Sequence, residues 1–237
     1  MRVLNVRLKF NQIRRVDEDN GTGRAEPCLW TVFFKIDGDT ARVSSALALT
    51  GTATVRGAPG SHVNLSGHDV EPGEAIAIPS AVGEFNTVLR PIPLEQSLGV
   101  GDVGGVVGCV AVLTEEGNAV GPALARGHAA LNKAVRESLD ALVLTLNFAH
   151  QEPTGAGIEQ MKAKVGAAVT RAVENSVSVR EWLKGFGNVD DRAGGGVFFY
   201  DHEELERAAG TSGLEICQRW RGEGSWELRG RVTATLA

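Results

Sequence analysis

The chain has 237 residues, a formal net charge of −5 and three cysteines, and these bulk properties exclude several classes of protein. A chain of this length can bury a hydrophobic core without covalent staples. The widely spaced Cys28, Cys109 and Cys217 are typical of neither a disulfide framework nor a zinc knuckle. The acidic balance and the lack of a Lys/Arg run predict that nucleic acid is not a partner.

The amino-terminal segment indicates a cytoplasmic location. In MRVLNVRLKF, charged residues interrupt the apolar ones, so the segment lacks the continuous apolar core of a signal peptide. The longest apolar run of helical type, residues 141–149, is much shorter than the roughly 18 residues that a membrane-spanning helix requires. We therefore expect no membrane-spanning helix, while association with a membrane surface stays open.

The first half of the chain is typical of a β-rich protein. Val6, Leu8 and Phe10 alternate with polar and charged residues, which is the period of a half-buried strand. The predicted strands cover residues 1–16, 28–36, 41–55, 75–78, 83–94 and 104–114, and the third is expected to be broken near Gly51. The strands between 75 and 94 are expected at sheet edges, because their prolines cannot donate to a central ladder. The continuously apolar run over 104–114 predicts a buried central strand.

The centre of the chain changes to a helical period. Leu131, Val135, Leu139 and Leu142 recur at spacings of three and four, which predicts an amphipathic helix from about Pro122 to Ala149. A second amphipathic helix is predicted over 158–183. The short connection between the two predicts an antiparallel helical hairpin over about 122–184.

The last part of the chain returns to strands. A glycine-rich linker is predicted over 185–196, followed by a short strand over 197–200 and a helical turn over 203–209. The segments 214–220 and 225–236 predict two antiparallel strands, the second of which closes the sheet begun by the first strand.

These elements predict an α+β fold, in which an antiparallel β-sandwich-like body is interrupted by the central helical hairpin. The chain is expected to form one domain over 1–237. The β body would comprise residues 1–116 and 186–237, and the helical insertion residues 117–185.

Two groups of residues are candidate metal ligands. Asp17, Glu18 and Asp19 form an acidic turn, which we expect in an antiparallel hairpin and which offers the oxygen ligands that calcium prefers. The spacing does not match a helix-flanked calcium loop. His62 and His68, with Asp69 beside the second, could bind a transition metal from a long loop. A solvated turn and ordinary loop chemistry are the favoured interpretations of the two groups.

The carboxy-terminal hairpin supplies a candidate ligand-binding tip. Trp220 and Trp226 flank its turn, and Arg219 and Arg229 lie beside them, so an exposed aromatic and basic surface would suit a sugar or a protein partner. The opposing interpretation is that strand alternation buries at least one of the two indoles.

The sequence favours a non-catalytic interaction module that binds a protein partner or assembles with itself. No convergent set of acid, base and nucleophile stands out. One alternative is a membrane-active, toxin-like protein that uses the helical hairpin, and another is an enzyme that depends on a divalent metal. No cofactor is expected apart from calcium or another divalent cation at the acidic turn or the histidine loop.

Overall fold

The computed structural model describes residues 1–17, 26–46, 48–58, 64–65, 69–95, 102–115, 121–145, 192–222 and 224–237. Within these residues the chain forms eleven strands and three helices. The strands are β1 (Leu4–Asp17), β2 (Pro27–Ile36), β3 (Ala41–Val43), β4 (Leu49–Gly51), β5 (Thr54–Gly57), β6 (Ala75–Ala77), β7 (Glu84–Leu89), β8 (Val106–Glu115), β9 (Arg192–Asp201), β10 (Leu214–Gly222) and β11 (Gly224–Leu236). The helices are α1 (Ser80–Gly83), α2 (Gly121–Thr145) and α3 (His202–Ala208).

A first antiparallel sheet, the outer sheet, is organised around β1. Its order is β10-β11-β1, and the other edge of β1 is shared between β6 and β7. β1 and β11 pair over most of their length, from Leu4 opposite Leu236 to Asp17 opposite Ser225, with a register shift after Phe10. Gly230 allows this shift, because a Cβ there would lie 2.4 Å from the carbonyl oxygen of Lys9.

A second antiparallel sheet, the inner sheet, has the order β5-β2-β8-β9. Every residue of β2 is buried, which explains why its sequence, PCLWTVFFKI, is predominantly apolar. β8 pairs with β2 on one side and β9 on the other, so the predicted central strand is confirmed.

The inner sheet contributes to two hydrophobic clusters, one on each face. Leu29 and Phe33 on one face join inward-pointing residues of the outer sheet, such as Leu8. Trp30 and Phe34 on the opposite face join apolar residues of α2. The inner sheet is therefore covered by the outer sheet on one side and by α2 on the other.

Helix α2 also follows the free edge of β5 through a row of polar side chains. Arg136 donates to the carbonyl oxygen of Val55 at 3.1 Å, and Asp140 accepts from the backbone of Ala53 at 3.2 Å. Four helical residues rise about 6 Å and two strand residues about 6.6 Å, so the two spacings nearly match. The helix thereby satisfies backbone groups that an edge strand would leave open.

The structure confirms several sequence-based expectations. The described part is a sheet-rich, mostly antiparallel α+β arrangement. β10 and β11 form the predicted hairpin, β11 pairs with β1, and β6 and β7 lie at an edge. The first predicted helix is α2, whereas the second, over 158–183, lies outside the described residues. Within the described residues, no helix combines the length and apolar character needed to cross a membrane.

Three expectations were wrong. β1 and β2 do not form a hairpin: they belong to different sheets, because both faces of β2 are buried. The predicted strand over 41–55 has the expected break near Gly51, where β4 ends, but its first part is divided further into β3 and β4. The predicted linker over 185–196 ends too late, since β9 begins at Arg192 and its glycines pair with β8.

Candidate functional site

The solvent-facing side of the outer sheet, which we call the open face, is the most distinctive surface of the described residues. The register aligns side chains in rows across β7, β1, β11 and β10. One row contains Glu84, Lys9, Arg231 and Glu215. Arg7 and Thr233 belong to the neighbouring row towards the chain ends. In the other direction, Arg229 lies opposite Cys217, Glu227 opposite Arg219, and Ser225 opposite Arg221.

The open face is basic although the chain as a whole is acidic. Its described side chains include seven basic residues, Arg7, Lys9, Arg14, Arg219, Arg221, Arg229 and Arg231. They include three acidic residues, Glu84, Glu215 and Glu227. These described side chains therefore sum to a net charge of +4, a surplus of basic residues on a chain whose full sequence has a net charge of −5. Such segregation attracts anions to one side of a protein whose net charge would repel them.

Glu227 lies at the centre of the most strongly connected cluster on the open face. Its side chain is only 3% exposed, because two guanidinium groups cover it. The Nε atoms of Arg219 and Arg229 donate to its two carboxylate oxygens at 2.8 and 2.6 Å. These bonds, that of Arg219 first, hold the pKa of Glu227 below its ordinary value. The two arginines remain 65% and 52% exposed, so their other donors face solvent.

A second carboxylate anchors the β7 side of the face. The Nε atom of Arg7 lies 3.0 Å from Glu84, and the ammonium group of Lys9 lies 3.6 Å from it. Hydrogen bonds from Arg7 and then from Asn86 lower the pKa of Glu84 to about 2. The glutamate stays ionised over the whole physiological range, which holds the two basic side chains in place.

A cleft of about 540 Å³ opens beside these charged rows, within the range of roughly 300–1,000 Å³ that is typical of ligand sites. It lies across β7, β1 and β11. The side chains that line it include the amides of Asn5 and Asn86, the hydroxyls of Thr233 and Thr235, and the guanidinium of Arg7. The cleft therefore offers both hydrogen-bond donors and acceptors next to positive charge.

Cys217 is an exposed thiol on the open face that can be labelled chemically. It is exposed and lies opposite Arg229, whereas Cys28 and Cys109 are buried. Since the chain has three cysteines, Cys217 is its one accessible thiol.

The candidate tip of the carboxy-terminal hairpin is only partly as expected. Arg219 and Arg229 do come together, on Glu227. The opposing interpretation, that strand alternation buries at least one indole, is confirmed, since Trp220 and Trp226 are 5% and 0% exposed. Both point to the inner side of the outer sheet, where they join the core that it shares with the inner sheet. Strand alternation thus separates the arginines from the indoles.

The candidate metal ligands fall largely outside the described residues. Glu18, Asp19, His62 and His68 are not described, nor is the side chain of Asp17, and Asp69 is half-buried. In the part of the chain that the structure describes, no three His, Cys, Asp or Glu side chains are grouped so that they could hold a metal ion. The calcium and transition-metal hypotheses stay predictions.

A buried ionic cluster in the inner sheet differs from the open face. Lys35, 6% exposed, donates to Asp37, to Asp39 and to the carbonyl oxygen of Val88. Asp37, fully buried, also accepts from the backbone of Arg90 at 3.0 Å, and the Arg90 side chain lies 2.9 Å from Asp39. The two cations balance the two carboxylates, so this cluster joins the end of β2 to the end of β7 and leaves no surplus charge.

The chain was compared with protein-family models, curated proteins and solved structures, and none of them matches it.

Proposed function

We propose that the chain is a non-catalytic interaction module and that the open face is its docking surface for a negatively charged partner. The observation that carries this proposal is the surplus of basic over acidic residues among the described side chains of the open face, on a chain of net charge −5. Uniformly scattered charge on an acidic protein would repel an anionic partner, whereas a segregated basic face attracts it. Glu227 and Glu84 support the proposal because they hold basic side chains in fixed rows.

The proposal includes the finer architecture predicted from the sequence. The shared core between the outer and inner sheets supports a sandwich-like body. The amphipathic period over 158–183 supports a second helix, which would complete a hairpin with α2. A homo-oligomer fits the same interaction module, and native mass spectrometry would give its subunit count.

Retention on a strong cation exchanger at pH 7.5 and low salt tests the docking surface. We expect the wild-type chain to be retained despite its negative net charge. The variant Arg221→Glu/Arg231→Glu removes two exposed charges from the open face and should flow through. A matched control, Arg56→Glu/Lys133→Glu, alters two exposed cations on β5 and α2 and gives the same net charge.

The control variant should be retained nearly as well as the wild type. If the two double variants elute at the same salt concentration, then the open face is not a distinct anion-binding surface and the proposal is wrong. Circular dichroism of all three proteins would verify that they are folded.

A further inference from the structure

We infer that the partner of the open face is an acidic polysaccharide, a sugar polymer that carries carboxylate or sulfate groups. This inference rests on the proposed function and adds the chemical class of the partner. It is carried by the position of the cleft, whose lining combines the polar side chains of Asn5, Asn86, Thr233 and Thr235 with apolar groups such as Val88, and which lies directly beside the basic rows on the same strands.

The dimensions of the open face suit an extended polymer. β11 contributes outward side chains from Thr235 to Ser225, which at about 3.3 Å per residue gives a surface about 33 Å long. Successive rows across three or four strands each present at least one basic side chain, such as Lys9 and Arg231 in one row and Arg219 in another. A single small anion would contact one row only, whereas a linear chain of repeating units contacts successive rows.

The chemistry of the cleft suits sugar hydroxyl groups. Asn5, Asn86, Thr233 and Thr235 present amide and hydroxyl groups that donate and accept at once. A sugar hydroxyl also both donates and accepts hydrogen bonds, so it can pair with the donor and with the acceptor of each of these side chains. Arg7 stands at the boundary, where a carboxylate or sulfate on the same sugar residue would meet the first positive charge.

The acid groups further along the polymer would meet the surplus arginines. Arg221 makes no ion pair within the described residues, and Arg219 and Arg229 keep exposed donors beyond those held by Glu227. Guanidinium groups bind carboxylates and sulfates through paired hydrogen bonds. The cationic rows therefore supply affinity, and the cleft supplies selection for a sugar backbone.

The same surface is less suited to single-stranded nucleic acid. Base recognition without sequence preference uses aromatic side chains as stacking platforms. The two indoles nearest to the open face, Trp220 and Trp226, point into the core instead. A planar lipid surface would contact the rim of the open cleft and leave the amides and hydroxyls of its floor unused.

Binding to defined probes tests this inference. The probes are a sulfated heparin oligosaccharide, an oligogalacturonate, a neutral dextran, single-stranded oligo(dT), polyglutamate and phosphatidylserine vesicles. We expect at least one acidic oligosaccharide to bind more tightly than oligo(dT), polyglutamate and the vesicles at equal salt concentration, and we expect dextran not to bind. Saturation with that oligosaccharide should slow the alkylation of Cys217 by neutral iodoacetamide, because the polymer would cover it.

A charge-neutral cleft variant separates the inference from the proposed function. Asn5→Ala/Thr235→Val should weaken oligosaccharide binding about tenfold, the effect of losing one or two hydrogen bonds, yet elute from the cation exchanger like the wild type. If polyglutamate, oligo(dT) or vesicles bind as tightly and the cleft variant has no effect, the polysaccharide inference is wrong and the docking surface stands. Alkylation of Cys217 at an unchanged rate would also overturn it. Loss of exchanger retention by the control pair would instead contradict the proposed function.

Discussion

β2 of the inner sheet is buried at all ten positions, whereas β1 of the outer sheet is buried only on alternate residues up to its bulge. The difference arises because α2 covers the second face of the inner sheet, while the open face meets solvent. The two sheets also differ in whether their charged residues are paired. In the inner sheet, Lys35 is neutralised by the fully buried Asp37 and by the partly exposed Asp39, but among the described side chains of the open face basic residues outnumber acidic ones. Charged residues in a sheet that is covered on both faces must be paired with opposite charges. A sheet with one solvent-exposed face can carry unpaired basic residues that are free to bind a partner.

The largest expected effect on stability is the loss of Lys35 from the inner sheet, compared with the loss of Lys9 from the outer sheet. Lys35→Ala leaves the fully buried Asp37 without its cation and should lower the free energy of unfolding by about 3–5 kcal/mol. Lys9→Ala removes a partly exposed cation and should cost about 0.5 kcal/mol. Urea unfolding followed by tryptophan fluorescence would measure both. Similar losses in the two variants would show that the sheets do not differ in this way.

An intermediate effect is expected where α2 lies on the edge of the inner sheet. A Cβ at Gly57 would lie 2.0 Å from Oδ1 of Asn132, so Gly57→Ala should cost about 1–3 kcal/mol. Asn132→Ala in the same chain should restore most of that loss, since it removes the clashing atoms. A double-mutant cycle measured by thermal unfolding would give the coupling. Additive losses would mean that α2 does not rest on β5 at this point.

The smallest change in stability is expected on the open face, at Glu227→Gln. At neutral pH the variant should be about 1 kcal/mol less stable, because the partners of Glu227 are exposed and can be solvated. The folded pKa of Glu227 is below its ordinary value of 4.5, so its ionised form stabilises the fold above about pH 4.5. This stabilisation is lost as the pH falls through the lower folded value, and the two proteins should converge in acid.

The same substitution should strengthen anion binding, in contrast to its effect on folding. Glu227→Gln raises the net charge of the open face by one, so it should elute from a cation exchanger at higher salt than the wild type. Earlier elution would mean that Glu227 contributes to binding mainly by orienting Arg219 and Arg229. The elution of this variant thus distinguishes the contribution of the net charge of the open face from the contribution of the orientation of Arg219 and Arg229.

The elements of this fold were more predictable than their partners. The alternation of β1, the apolar run of β8 and the helical period of α2 are local patterns, and each predicted its element. The pairing of β1 with β11 followed from strand character at both ends of the chain. The separation of β1 from β2 could not be predicted, because it depends on what covers the second face of β2.

The open face escaped prediction because its charges are distant in sequence. Arg7 and Arg231 become near neighbours through the β1–β11 register, although they contribute to no Lys/Arg run. One signal could have revealed Glu227: pairing the hairpin with Trp220 opposite Trp226 places Glu227 opposite Arg219. The same register puts both indoles on the inner side, which corrects the expected aromatic tip.

The pairing of β1 with β11 also bears on the order of folding. Leu4 and Leu236 are cross-strand partners, so the strand that lines most of β1 is synthesised more than two hundred residues after it. Such distant contacts slow folding, because a long loop must close before they form. A circular permutant that joins residue 237 to residue 1 through a short glycine linker would turn this ladder into a local hairpin. It should fold faster than the natural order while keeping the open face intact.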